Sequence, residues 1–205
     1  MKFLTTILLL SLSTQSFALT SQTGDMFKTS SSDSHRMKVL NHGMASLQER
    51  LNLIESAQQT IDLEYFIYRN DLSGKIVTQA LIKKAREGVK IRMLLDYFMI
   101  GSEITPFIAH ELMQNGIEVR YFNTAPTARL LKVQYRNHRK AIIVDSHIAI
   151  TGGRNIGNEY FDLDPKYNFL DRDVTIQGEI VEAIDDTFDK TFHSSESKVL
   201  KREPM

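Results

Sequence analysis

Apolar positions recur at two different periods along this chain, and the alternation between them defines its elements. Between about 44 and 57, Leu47, Leu51 and Ile54 fall at helical spacing. Residues 60–68 (TIDLEYFIY) are rich in β-branched and aromatic side chains and predict a strand. Ser73-Gly74 opens a helix that runs to Arg86 and stops at Gly88, a residue suited to a left-handed C-terminal position. Residues 89–95 alternate and end at Asp96, residues 105–114 are helical up to Gly116, and residues 117–122 form a third strand. Residues 123–134, broken by Pro126, predict a loop. Two short apolar runs at 141–144 and 147–150, separated by Asp145-Ser146, predict a hairpin. A strand at 174–177 and an amphipathic helix at 180–192 close the pattern. Strands alternating with helices define an α/β domain with a largely parallel sheet covered by helices.

The N-terminus departs from this pattern. Lys2 precedes an apolar run of about ten residues that ends in Ser16-Phe17-Ala18, the layout of a secretory signal peptide. Spanning a bilayer takes roughly 20 apolar residues, so the run is too short for that. We therefore expect residues 1–18 to direct export to the periplasm or the medium, 19–36 to form a flexible linker, 37–195 to fold, and 196–205 to be a polar tail. The chain has no Cys, which removes disulfides and thiol chemistry from consideration. Its 25 basic and 25 acidic side chains cancel, so overall charge favours neither a nucleic acid nor an acidic partner. Locally, residues 119–144 hold Arg120, Arg129, Lys132, Arg136, Arg139 and Lys140 and no carboxylate, a window suited to an anionic substrate. Leu130, Leu131, Val133 and Tyr135 interleave with those cations, as at a headgroup–acyl boundary. Tyr65, Phe66 and Tyr68 are expected in the core rather than as a base-stacking platform.

The chemistry concentrates in residues 138–162, HRKAIIVDSHIAITGGRNIGNEYFD. Residues two apart on a strand point the same way, so His138 and Lys140 share a face. The apolar residues 141–144 behind them suit a buried central strand. Gly152 and Gly153 permit close backbone approach before a helix expected near Asn155, whose N–H groups suit a phosphate. A nucleophile, a fixed cation, an amide donor and a glycine turn are the parts of a metal-free phosphoryl transfer. Neither a cofactor nor a metal is expected, because no His/Asp/Glu cluster has convincing ligand spacing.

This segment resembles the signature of the phospholipase D superfamily: His, one residue, Lys, four residues, Asp, six residues, Gly-Gly, one residue, Asn. His138, Lys140, Asp145, Gly152, Gly153 and Asn155 fit it without a gap. At ordinary residue usage such a match arises by chance on the order of once in 10⁵ chains. The flanks EYFIYRNDLSGKIVTQALIKKAREGVKIRMLLD and NFLDRDVTIQGEIVEAIDDTFDKTF are similar to the N-terminal half of bacterial cardiolipin-synthase-like members. The resemblance implies an α-β-α sandwich with a mixed, largely parallel central sheet. It implies that His138 forms a phosphohistidine, that Lys140, Asn155 and Gly153 bind the phosphate, and that Asp145 and Gly152 are structural. It also implies a later acidic residue that orients the imidazole, Asp173 by best match and Asp171 as runner-up.

The family's enzymes use two such motifs face to face, and this chain has one. His147 has no Lys two residues on and is read as structural. Either two copies pair as a homodimer or the chain is half of an enzyme. The leading expectation is a phospholipid phosphodiesterase, hydrolysing or transferring the phosphatidyl group at a membrane surface. The alternatives are a non-specific endonuclease with the same chemistry and an inactive half-domain that binds anionic lipid.

Overall fold

The fold is described by a computed structural model for residues 35–100, 103–124 and 134–200. The proposed signal peptide, most of the proposed linker and Arg129, Leu130, Leu131, Lys132 and Val133 lie outside those residues. Strand β1 (His35–Leu40) leads into helix α1 (Gly43–Ser56), β2 (Thr60–Tyr65), α2 (Leu72–Arg86) and β3 (Lys90–Asp96). A single turn α3 (Tyr97–Ile100), helix α4 (Pro106–Gln114) and β4 (Ile117–Phe122) follow. The chain then forms β5 (Ala141–Val144), β6 (Ile148–Gly152), β7 (Asp173–Gly178), α5 (Ile180–Phe192) and a short β8 (Ser197–Lys198). His35 and Arg36, expected in the linker, are therefore in a strand. Ser197 and Lys198, expected in the tail, pair with Phe122 and Tyr121.

Local chemistry explains the helix ends. The Asp71 carboxylate caps α2 by accepting from the Gly74 N–H at 3.0 Å. Thr105 caps α4, with Pro106 at its first position. Gly88 and Gly116, at φ of +95° and +88°, turn the chain out of α2 and α4 in a conformation that costs other residues more.

All eight strands form one sheet in the order β1-β7-β6-β5-β2-β3-β4-β8. The sheet is mixed, but the parallel share is smaller than expected. Only β2–β3 and β3–β4 run parallel, where helical crossovers intervene, while the ladders of β5, β6, β7, β1 and β8 are antiparallel. A tight turn returns β5 into β6, and a longer connection carrying no crossover helix returns β6 into β7, which accounts for the difference.

Alternation along the strands builds a core on each face. Ile142 and Val144 of β5 join Ile61, Leu63, Met93, Leu47 and Leu81 beneath α1 and α2. Ile143 faces the other way, against Val181, Phe188 and Phe192 of α5. The result is a helix–sheet–helix sandwich with β5 and β2 at its centre, so the β2 C-terminus and the chain entering β5 have a rigid base.

Candidate active site

His138 and Lys140 lie in the extended chain that enters β5, immediately before its first ladder residue, Ala141. Two residues apart, they open onto the same cavity of about 290 Å³ beside the C-terminal end of β2. Pairing of Glu64 with Ala141 sets the register that brings Phe66 beside them. The Phe66 ring lies 4.6 Å from the His138 ring, centroid to centroid, and 5.4 Å from Lys140 Nζ. Phe66 is thus half-buried at the site, whereas Tyr65 and Tyr68 are core residues.

The alternate residues of this segment anchor it. Asn137 donates from Nδ2 to Glu64 at 2.8 Å and from its backbone N–H to Asp96 at 2.9 Å. Arg139 Nε donates to the other Glu64 oxygen at 2.8 Å, and Arg136 to Asp96 at 3.3 Å. Three of the window's four described cations are thereby compensated. Arg120, Arg136 and Arg139 pair with Glu118, Asp96 and Glu64, carboxylates on β4, β3 and β2. Of the four described cations there, Lys140 alone faces the cavity without an ion pair among the described residues. Glu64 and Asp96 carry no sequence signal beyond being charged residues at positions that read as buried strand.

Lys140 Nζ stands 2.9 Å from His138 Nδ1 and 2.6 Å from the His138 carbonyl oxygen. Burial holds the His138 imidazole below its ordinary pKa, helped by the Lys140 charge and opposed by Asp96. Burial also pushes Lys140 down to about 8, with the Asp171 charge opposing it. At neutral pH Lys140 remains mostly an ammonium, and its donation to Nδ1 leaves the imidazole proton on Nε2.

Asp173 does not orient His138. It is fully buried, and Ser46 Oγ, Arg50 Nη1 at 3.0 Å and the Arg154 N–H at 3.2 Å occupy its carboxylate. Asp171 instead lines the cavity beside Lys140. Asn155 caps no α-helix, because none starts there; the only helical turn nearby is the 3₁₀ turn Asn158–Tyr160. The backbone of Ile156 is taken up by a bridge to Ile67 and Arg69, so the chain stays extended. Asn155 Oδ1 accepts from the Ile67 N–H at 2.9 Å. That anchorage aims its remaining N–H capacity at the cavity.

The glycine pair has a packing role, as expected for Gly152, and Gly153, expected to bind the phosphate, also lines the cavity. The Gly153 N–H already donates to the Arg172 carbonyl at 3.0 Å. A Cβ at Gly153 would fall 1.9 Å from Asp171 Oδ1, and one at Gly152 2.3 Å from Asp173 Oδ1. Side-chain-free residues let the two carboxylates approach. Asp145, with φ of +51° in the β5–β6 turn, accepts from the N–H groups of Gln58, Gln59 and Thr60 at 2.7–2.9 Å. Burial opposes its ionised form, but those three donors outweigh it and hold the carboxyl below its ordinary range. His147 is exposed near Gln177, away from the cavity. Arg154, unremarked in the sequence, is buried and donates to the carbonyls of Leu40, Asn41 and Tyr160, tying β1 to the motif.

This sandwich, with a His and a Lys entering a central strand above a glycine turn, defines a phospholipase D-type domain. The family described as "Cardiolipin synthase, PLD-like domain" matches residues 51–192, and the chain belongs to that family within the phospholipase D superfamily. It is 36% identical over 159 residues to the major cardiolipin synthase of Bacillus subtilis, covering 76% of this chain and 33% of that protein. The chain spans about a third of the length of the curated relatives it matches. Among solved structures, phosphatidylserine synthase of Haemophilus influenzae superposes with a TM-score of 0.67 at 16% identity, over 82% of this chain and 40% of that one. NucT of Helicobacter pylori superposes with 0.61 at 14% identity, over 78% and 97%.

Proposed function

We propose that the protein is an exported phosphodiesterase that hydrolyses or transfers the phosphatidyl group of phospholipids, with a site completed by a second copy. The observation that carries this is the convergence of His138, Lys140 and Asn155 on one cavity that Phe66, Phe169 and Leu170 also line. A phosphate entering the cavity competes for Lys140 and draws it off His138 Nδ1. The imidazole proton then moves to Nδ1, and the Nε2 lone pair attacks phosphorus. The P–N bond forms as the P–O bond to the leaving alcohol breaks. The leaving oxygen takes a proton from His138 of the partner subunit, which acts as the imidazolium stabilised by the bound phosphate anion and is left as the neutral base. Water or an alcohol next attacks phosphorus, returns a proton to that base and breaks the P–N bond. Lys140 and Asn155 neutralise the equatorial oxygens throughout.

The test incubates purified protein, in chelator, with phospholipid vesicles and separately with plasmid DNA. Phosphatidic acid or a transphosphatidylation product, trapped phosphohistidine on His138, and intact plasmid are expected. Plasmid cleavage without lipid turnover would assign a nuclease. For export, N-terminal sequencing of the mature protein should begin at Leu19.

A further inference from the structure

We propose that Phe169 and Leu170 form an apolar subsite that receives the acyl-bearing part of a lipid phosphodiester, at the mouth of the cavity that holds the phosphate. The inference rests on the phospholipid reading above and assigns its substrate contact. The cavity lining combines two unlike sets of side chains: the polar His138, Lys140, Asn155 and Asp171, and the apolar Phe66, Phe169 and Leu170, of which Phe66 lies against His138 and Lys140. Leu170 is 103% exposed and Phe169 44%, although both line the cavity. Single exposed leucines are ordinary. Leu170 differs in lying beside Phe169, whose ring packs on Tyr167, and in lining with Phe169 the cavity onto which His138 opens; such patches mark binding sites.

The exposure is built into the loop. Asp164 Oδ1 accepts from the N–H groups of Lys166 and Tyr167 at 2.8 and 3.2 Å, and Asn168 bonds back to Asp164. The Phe169 N–H donates to the Glu159 carbonyl at 2.8 Å, and its ring packs 5.0 Å from Tyr160. With Phe169 held inward at its backbone, Leu170 projects outward. Lys166 and Arg172, exposed and without an ion pair among the described residues, flank this tip as cations flank the apolar part of a headgroup–acyl boundary. A nucleic-acid strand instead calls for a continuous basic track, and Arg136 and Arg139 nearby are already paired with Asp96 and Glu64.

The experiment compares turnover of phosphatidylglycerol vesicles with that of dissolved dibutyryl phosphatidylglycerol. Leu170→Asp and Phe169→Ala should each lower the vesicle-to-dissolved ratio tenfold or more. Ile180→Asp, on an exposed residue at the start of α5, should leave the ratio unchanged. Because the chain has no Trp, Leu170→Trp introduces a single reporter, whose emission should shift to the blue with those vesicles and stay unshifted with plasmid DNA. Wild-type lipid turnover with an unmoved ratio would overturn the subsite alone. A reporter that responds to DNA and not to vesicles would assign the wall to a nucleic acid. Wild-type cleavage of bis(p-nitrophenyl) phosphate with no turnover of either lipid would remove the phospholipid reading itself, and the subsite with it.

Discussion

At the scale of single residues, the site is organised by how Lys140 divides its protons. It donates to His138 Nδ1 in the free protein, and the proposed phosphate contact requires it to remain charged. Its pKa of about 8 therefore sets a limit. We expect kcat/KM, which reports the free enzyme, to fall as pH rises through about 8, and Lys140→Arg to abolish that limb while lowering the maximum rate. A pH–rate profile identical in the two proteins would remove Lys140 from this role. Stability has the opposite sign. The folded pKa lies below the ordinary 10.5, so the unfolded chain binds more protons in between, and stability rises as pH climbs from about 8 toward 10.5. Asp171 supports the ammonium, so Asp171→Asn should move the basic limb of kcat/KM to lower pH; a limb that stays put or rises refutes the coupling. His138 and Lys140 were legible because their spacing is fixed by the chain itself. The choice between Asp171 and Asp173 was not, because two carboxylates two residues apart differ only in what folds against them. Asp173 meets Arg50, 123 residues away in the chain.

At the scale of elements, hydrophobic period placed five of the longer strands and the four longer helices within a residue or two. It missed β1 and β8, which are edge strands. Residues 35–38 of β1 are exposed, so they carry no apolar alternation to read. The helix expected at Asn155 failed because glycine-rich and asparagine-rich chain is equally suited to the extended path that pairs with residues 67–69. What holds that path is the buried set around Asp173: Arg50 Nη1 at 3.0 Å, Arg50 Nε at 3.1 Å from the Tyr65 hydroxyl, and Arg154 across to β1. Removing one partner strands a buried charge. Asp173→Ala should therefore cost about 3–5 kcal/mol of folding stability, read from urea denaturation. Asp171→Ala, on a carboxylate at the cavity surface, should cost far less. Equal losses for the two would contradict the division between a structural and a site carboxylate.

At the scale of the whole molecule, one motif on one sandwich supplies one imidazole, yet a double displacement at phosphorus needs a nucleophile and a proton donor on opposite sides. A two-fold axis through the cavity mouth would bring His138 of two copies across one cleft, an isologous arrangement. The apolar rim would then be divided between the partner and the lipid. In that arrangement the two imidazoles would be chemically equivalent until substrate binds, after which one would carry the phosphoryl group and the other would protonate the leaving oxygen. Subunit mixing tests this. Co-expressed wild-type and His138→Ala chains, carrying different affinity tags and purified through both in turn, should give heterodimers with turnover at least a hundredfold below wild type, because each cleft lacks either the nucleophile or the acid. A low pKa on the surviving imidazole does not rescue such a cleft, since the deficit is a missing group and not a misplaced proton. Heterodimers at half the wild-type rate would mean that each chain works alone, and sedimentation of an active monomer at assay concentration would do the same.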